Sequence, residues 1–487
     1  MTSHAAPTAL ARPAVAPRDR LRWGWVLLAG LPGAWALAGR PPLPLDETRY
    51  LTVAWEMWQR QDWLVPWLNG APYSHKPPLL FWLIHAGWWL FGVNEWWPRL
   101  ITPLLAIANA GLAAQLARGL WPESPAVAGI VPWLLAGALG WLVMSQMLLF
   151  DMLLTTFVLA AALLLVRRAP AWRAADSLAL GALLAGGVLA KGPMVFLQVL
   201  LPAACAPLLV PAVRSRWASL AVPWLGSLLL AGIVGLVLAG LWALPAAAAG
   251  GPDYAAAILW RQTAGRMVES FAHVRPWWFY GLAVPAMTLP WPLAWVKLRG
   301  AAPTPADAGD RLLAGWIASV LAALSLLSGK QPHYALALLV PLALLAARRI
   351  AMAGPGVAAR VRRMATGSVV VTLAAASIWF RLAGAGFDLR APAAAVAALQ
   401  ASGTTIAVVG GYHGQLGFLG RLPKAVVPVE PRDTAAWAAA HPGATLLTFG
   451  NELPGGFHAT LTASFPYRGR ELRFYQAGAT PEGAATP

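Results

Sequence analysis

The chain has 487 residues, 59% of them hydrophobic and only 11% charged, with 27 tryptophans and a formal net charge of +17. Such a composition belongs to a polytopic membrane protein and excludes a wholly soluble one. Nucleic-acid binding is excluded by where the basic residues lie, in short loops and tails between apolar segments, as the positive-inside rule requires. The single cysteine, Cys205, sits in an apolar run, so no disulfide framework exists.

In chain order, residues 1–20 are rich in alanine and proline with scattered arginines, and read as a disordered cytoplasmic tail. Leu21–Gly39 is the first apolar span. Its basic flank and Ala36-Leu37-Ala38 also suit a signal peptide, but the many later spans favour a retained helix. Residues 41–99 then concentrate acids, bases, amides and aromatics between two apolar segments. Asp46 is expected at a helix N-terminus, with Arg49 and Tyr50 as its i+3 and i+4 neighbours. Pro77-Pro78 hold the backbone beside Lys76 extended, and Leu79–Phe91 is an amphipathic piece suited to an interface. Taken alone, this stretch also suits an aromatic-rich loop resting on lipid.

Further spans are expected near 100–118, 126–144, 147–166, 177–190, 193–213, 218–245, 277–296, 312–328, 333–347 and 364–382, eleven in all. With the N-terminus inside, Lys and Arg divide evenly, 18 to either side, while acids divide 5 inside and 14 outside, giving net charges of +13 and +4. The inner bases crowd short loops; the outer ones sit in long loops among carboxylates and aromatics. From 383 the chain turns to β-branched runs at Thr404–Val409, Ala425–Val429 and Thr445–Phe449, with a helix at Thr434–Ala440 and a terminal strand at Glu471–Tyr475. This predicts a small soluble α/β domain over 383–478 on the outer side, followed by a disordered tail, 479–487.

Ionisable residues at membrane edges need a reason. Asp151 begins the fourth span, as a cavity carboxylate or as a helix cap. Lys191 closes the fifth before a helix-breaking Gly-Pro, as a cavity amine or a snorkelling lysine. The loop Ala246–Pro276 carries Arg261, Arg266, Glu269, His273 and Arg275. Lys330-Gln-Pro-His333-Tyr334 opens the tenth span. All these clusters converge on one membrane face. A transporter would instead place such residues near the midplane, often within internal repeats, and no repeat is evident.

The ordered pattern Asp46-Glu47-x-Arg49-Tyr50, Asp62-Trp63, Asn69-Gly70-x-x-Tyr73-x-x-Lys76-Pro77-Pro78 and Asn94-Glu95 resembles the first outer loop of the ArnT-like glycosyltransferases. These form part of the GT-C superfamily, with protein O-mannosyltransferases as relatives. The segment Tyr412–Arg421 resembles the same family's C-terminal domain. The resemblance implies an all-α polytopic GT-C fold of about 11–13 transmembrane helices with a small C-terminal α/β domain. It implies an inverting enzyme of the cytoplasmic membrane, moving a sugar from a polyprenyl-phosphate donor to a lipid or glycan acceptor, such as lipid A, on the outer face. Asp46 and Asp151 match catalytic-cavity carboxylates; Arg49, Tyr73, Lys76, Arg266 and Tyr334 match donor-phosphate contacts; Glu47, Lys191, His273 and Lys330 are further cavity candidates. An anionic leaving group calls for cations and hydroxyl donors rather than a protonating acid, while Asp46 suits a general base toward a hydroxyl acceptor, or a group orienting the acceptor or a sugar amine where the acceptor is itself a phosphate. Many relatives have Glu where this chain has His75. One imidazole does not make a metal site, so no metal is expected, and His75 is the one weak candidate for a divalent ion.

Overall fold

The computed structural model describes residues 23–210, 217–260, 274–298, 306–450, 453–454 and 457–478. Both expected tails, together with Arg266 and His273, lie outside the described residues.

The membrane part is helical throughout. Helix α1 (Gly24–Gly39) leads to α2 (Asp46–Arg60), a short hairpin β1 (Trp67–Leu68) and β2 (Ala71–Pro72), and α3 (Leu79–Phe91). Then come α4 (Trp96–Leu120), α5 (Pro125–Gly137), α6 (Leu139–Gln146), α7 (Asp151–Arg168), α8 (Ala174–Lys191), α9 (Met194–Leu209) and α10 (Trp217–Gly250). A short α11 (Pro252–Ala256) precedes α12 (Phe279–Met287), α13 (Trp291–Leu298), α14 (Ala308–Leu326), a 3-10 segment (Pro332–Leu338), α15 (Leu339–Met352) and α16 (Pro355–Ala383). Among the described residues, seven helices are long and apolar enough to cross a membrane, or eight if the bent pair α5–α6 counts as one.

The eleven expected spans therefore differ in detail. The expected span 126–144 is two helices meeting at 68°. Ala138 between them is extended, and the Leu139 N–H donates to the Leu289 carbonyl (2.8 Å), so a neighbouring segment replaces the lost helical bond. Residues 277–296 likewise form two short helices, with Pro285 and Pro290 interrupting the ladder. One continuous apolar core joins α4, α5, α7, α8 and α15.

Beyond α16, helix α17 (Arg390–Ala401) introduces a five-stranded sheet in the order β4-β3-β5-β7-β6, with a helix α18 (Thr434–Ala440). Strands β3 (Ile406–Val409), β4 (Val427–Val429) and β5 (Thr445–Phe449) run parallel; β7 (Arg470–Ala477) pairs antiparallel with β5 and with β6 (Ala459–Tyr467). The sequence predicts every one of these except α17 and β6. Strand β6 is an edge strand in which Ala463, Phe465 and Tyr467 turn toward the domain core while Thr460, Thr462, Ser464 and Pro466 are exposed, so its apolar alternation is legible in the sequence although it is not among the expected strands. Helix α17 packs through Pro392, Ala393 and Val396, a stripe too small to stand out in an alanine-rich segment.

Candidate active site

The site is built around α2. Asp46 occupies its first turn, where a carboxylate complements the helix dipole, and accepts from Arg49 Nη2 at 2.6 Å. The Asp46 side chain is 49% exposed and that of Arg49 18%, so the pair faces an open space. One residue on, Tyr50 is buried edge-to-face against Phe150 (4.9 Å between centroids) and Phe81. Burial, with the negative charge of Asp46 nearby, pushes its phenol well above the usual tyrosine range, so Tyr50 stays an O–H donor.

Two other segments bring their side chains to Tyr50. The hairpin is closed by Asn69 and Gly70, both in the left-handed region (φ 56° and 78°), as a tight two-residue turn demands. The buried Glu56 carboxylate accepts from both of their N–H groups, at 2.6 and 2.9 Å. The Tyr73 N–H then donates to the Pro66 carbonyl (2.7 Å) and delivers Tyr73, His75 and Lys76 to the site. Lys76 Nζ lies 5.6 Å from the centre of the Phe150 ring. From the membrane helices, Asp151 opens α7 and Lys191 closes α8; the two form a buried ion pair. Lys191 Nζ also sits 4.9 Å over the Tyr334 ring, and the charges of Asp151, Lys191, Lys76 and Asp46 all reach His333.

Asp46, Arg49, Tyr73, Lys76, Asp151, Lys191 and Tyr334, far apart in sequence, thus converge on one end of the bundle. Glu47 and Lys330 turn to structural partners. Glu47, fully buried, takes both guanidinium nitrogens of Arg40 (2.5 and 3.0 Å) and the N–H groups of Leu43 and Leu148. Lys330 donates to the backbone carbonyls of Arg275 and Leu327. Three residues absent from the sequence-based set join the site. Tyr50 and His333 stand inside motifs already singled out, and their neighbours hinted at them. His413 comes from the C-terminal domain, and its position depends on a long-range contact.

A cavity of about 240 Å³ opens farther along α2, between Trp55, Glu56 and Arg60 and the segment 422–426, and none of the clustered residues lines it. Among the described residues no three His, Cys, Asp or Glu side chains are grouped to hold a metal. His75 is exposed, its ring 5.2 Å from that of Tyr73. Chelator treatment of the purified protein is expected to leave sugar transfer intact. Complete loss restored by zinc would make His75 a ligand.

The family described as dolichyl-phosphate-mannose-protein mannosyltransferase matches residues 75–239. An undecaprenyl phosphate-alpha-4-amino-4-deoxy-L-arabinose arabinosyl transferase of Pseudomonas fluorescens is 30% identical over 318 residues, covering 62% of this chain and 52% of that protein. One from Pseudomonas aeruginosa is 32% identical, covering 62% and 54%. The chain therefore spans about half the length of these relatives. Among solved structures, ArnT from Cupriavidus metallidurans bound to undecaprenyl phosphate superposes with a TM-score of 0.74 at 18% identity, over 95% of this chain and 100% of that one. The apo form of the same protein gives 0.70. The chain thus resembles these arabinosyl transferases in sequence over part of their length, and it shares the fold of ArnT.

Proposed function

We propose that this protein is a membrane glycosyltransferase that moves a sugar from a polyprenyl-phosphate donor to a lipid or glycan acceptor, such as lipid A, at the outer face of the cytoplasmic membrane. The observation that carries the reading is the pairing of chemistries in one cluster. An exposed carboxylate, Asp46, stands beside a group of cations and phenols: Arg49, Lys76, Lys191, Tyr73 and Tyr334. The cations and phenols suit a phosphate leaving group, whose charge grows as the sugar departs; the family resemblance adds Arg266 to them and leaves His273 a further cavity candidate. Asp46 suits the role of base toward an attacking hydroxyl, and attack from the face opposite the phosphate inverts the anomeric carbon. Asp151, neutralised by Lys191, serves as the anchor that holds the lysine in the cavity.

The similarity to undecaprenyl phosphate-alpha-4-amino-4-deoxy-L-arabinose arabinosyl transferases favours undecaprenyl phosphate as the lipid carrier and an amino sugar as cargo. The match of residues 75–239 to a mannosyltransferase family supports protein O-mannosylation as the second reading. A flippase or transporter is disfavoured because the polar residues gather at one end of the bundle. Mass analysis of lipid A, other envelope glycans and proteins from cells with and without this gene tests the reading. A sugar lost from one of them identifies the acceptor, and unchanged profiles defeat the proposal.

The charge asymmetry of the loops supports an extracytoplasmic position for the region 41–99 and the domain 383–478. A reporter active only outside the cytoplasm, fused after Gly384, is expected to be active. Activity of a cytoplasmic reporter there instead would invert the arrangement.

A further inference from the structure

Helix α2 has two working faces, and the second is bound by the C-terminal domain. Thr52, fully inside this contact, donates its hydroxyl to the Gly414 carbonyl (2.6 Å) and accepts from the Phe418 N–H (3.0 Å). The Asn69 amide donates to the Tyr412 carbonyl (3.0 Å), and Phe418 stacks on Trp88 (5.3 Å, 4° between planes). Gly414 has φ +73°, and a Cβ there would stand 2.5 Å from Leu68 Cδ1, so the loop lies flush against the hairpin and helix. The side-chain amide oxygen of Gln415 accepts from the His413 N–H (2.8 Å).

Thr52 is three residues beyond Arg49, one helical turn, so a loop fastened at Thr52 brings its next residue, His413, over the Asp46–Arg49 pair. The charges of both Arg49 and Asp46 reach the imidazole. His413 is exposed and belongs to the soluble domain, whereas Lys76, Lys191 and Tyr334 gather around Phe150 and the helix ends below. It therefore stands beside the Asp46–Arg49 pair, apart from Lys76, Lys191 and Tyr334.

We infer that His413 is a substrate-binding residue supplied by the C-terminal domain, which hydrogen-bonds a sugar hydroxyl of the incoming acceptor on the open side of Asp46. Partial burial, and then the neighbouring Arg49 cation, lower the pKa of the ring, so at neutral pH it offers one N–H donor and one lone pair. That equipment fits a hydroxyl, which both donates and accepts, better than a second phosphate. The C-terminal domain on this account forms the acceptor-side wall of the site. The inference rests on the transferase reading above.

The test uses the full-length protein in detergent, undecaprenyl-phosphate-linked aminoarabinose as donor and lipid A as acceptor. His413→Ala is expected to raise the KM for lipid A by about tenfold, the equivalent of one hydrogen bond to substrate. The affinity for undecaprenyl phosphate and the KM for the donor should stay at wild-type values. His413→Gln, which keeps both a donor and an acceptor, should recover part of the loss. An unchanged lipid A KM in both variants overturns the inference. A raised donor KM with an unchanged lipid A KM overturns it too, moving His413 to the donor sugar. A wild-type chain that transfers nothing to lipid A defeats the proposed acceptor first, and this inference with it.

Discussion

Replacing Asp46 by asparagine is expected to slow single-turnover transfer by on the order of a hundredfold to ten-thousandfold, the usual cost of losing a general base. Binding of undecaprenyl phosphate should survive, or tighten as a negative charge leaves the site. The substitution keeps the shape of the side chain. What it removes structurally is a half-exposed ion pair with Arg49, and exposed pairs contribute at most about 1 kcal/mol. A large loss of rate is therefore a chemical loss. Lys76→Ala and Arg266→Ala should behave in the opposite way, weakening donor binding first and slowing transfer through lost stabilisation of the departing phosphate. Measuring lipid-phosphate affinity and single-turnover rate side by side on the three variants separates the roles. If Asp46→Asn abolishes donor binding while bound-state turnover remains normal, Asp46 is a binding residue, and the mechanism proposed for it is wrong.

Glu47→Gln should destabilise the folded protein strongly, by about 3–5 kcal/mol, because it strands the Arg40 guanidinium in a dry interior. The Arg40 side chain is 2% exposed and that of Glu47 0%. Their pairing also fastens the segment before α7, since Arg40 Nη2 donates to the Gln146 carbonyl (2.5 Å) and the Leu148 N–H donates to Glu47 (2.8 Å). Burial by itself would raise the Glu47 carboxyl; the Arg40 charge and the bonds from Arg40, Leu148 and Leu43 outweigh it and bring the pKa below the usual value. A depressed pKa in the folded state gives stability that is present above the unfolded value, about 4.3, and is lost as pH falls through the folded one. The gap between wild type and Glu47→Gln in thermal unfolding should therefore hold steady from about pH 8 to 5 and narrow below about pH 4. A double variant with both residues made apolar should lose much less than the single one. If Glu47→Gln unfolds like the wild type but transfers sugar poorly, Glu47 belongs to the chemistry and its role as an anchor is mistaken.

The contrast between Asp46 and Glu47 shows what sequence discloses and what it withholds. Adjacent acids in one motif look alike on paper. Helical periodicity fixes that Asp46, Arg49 and Tyr50 share a face, and the first turn of α2 does begin at Asp46. Whether the next carboxylate meets water or an arginine depends on Arg40 and Leu148, which the chain brings together only on folding. Spans were legible where hydrophobicity ran unbroken, as in α4 and α10. They were misjudged where an apolar run hides a bend, because Ala138 is as greasy extended as it is helical. His413 was the hardest to foresee. The segment around it, Tyr412–Arg421, stands out in the sequence, but its place beside Asp46 is dictated by the Thr52 hydroxyl, over 350 residues away in the chain.

The seam between α2 and the C-terminal domain also bears on how such proteins diversify. Trp55 Nε1 and Gln59 Nε2 both donate to the Leu422 carbonyl at 3.1 Å, in line with Thr52 on the same stripe of the helix. The helix whose tip holds Asp46 is thus also the plug into which the soluble domain is seated. A chimera that imports a foreign soluble domain onto this membrane body would have to import the matching stripe, Thr52, Trp55 and Gln59, with it.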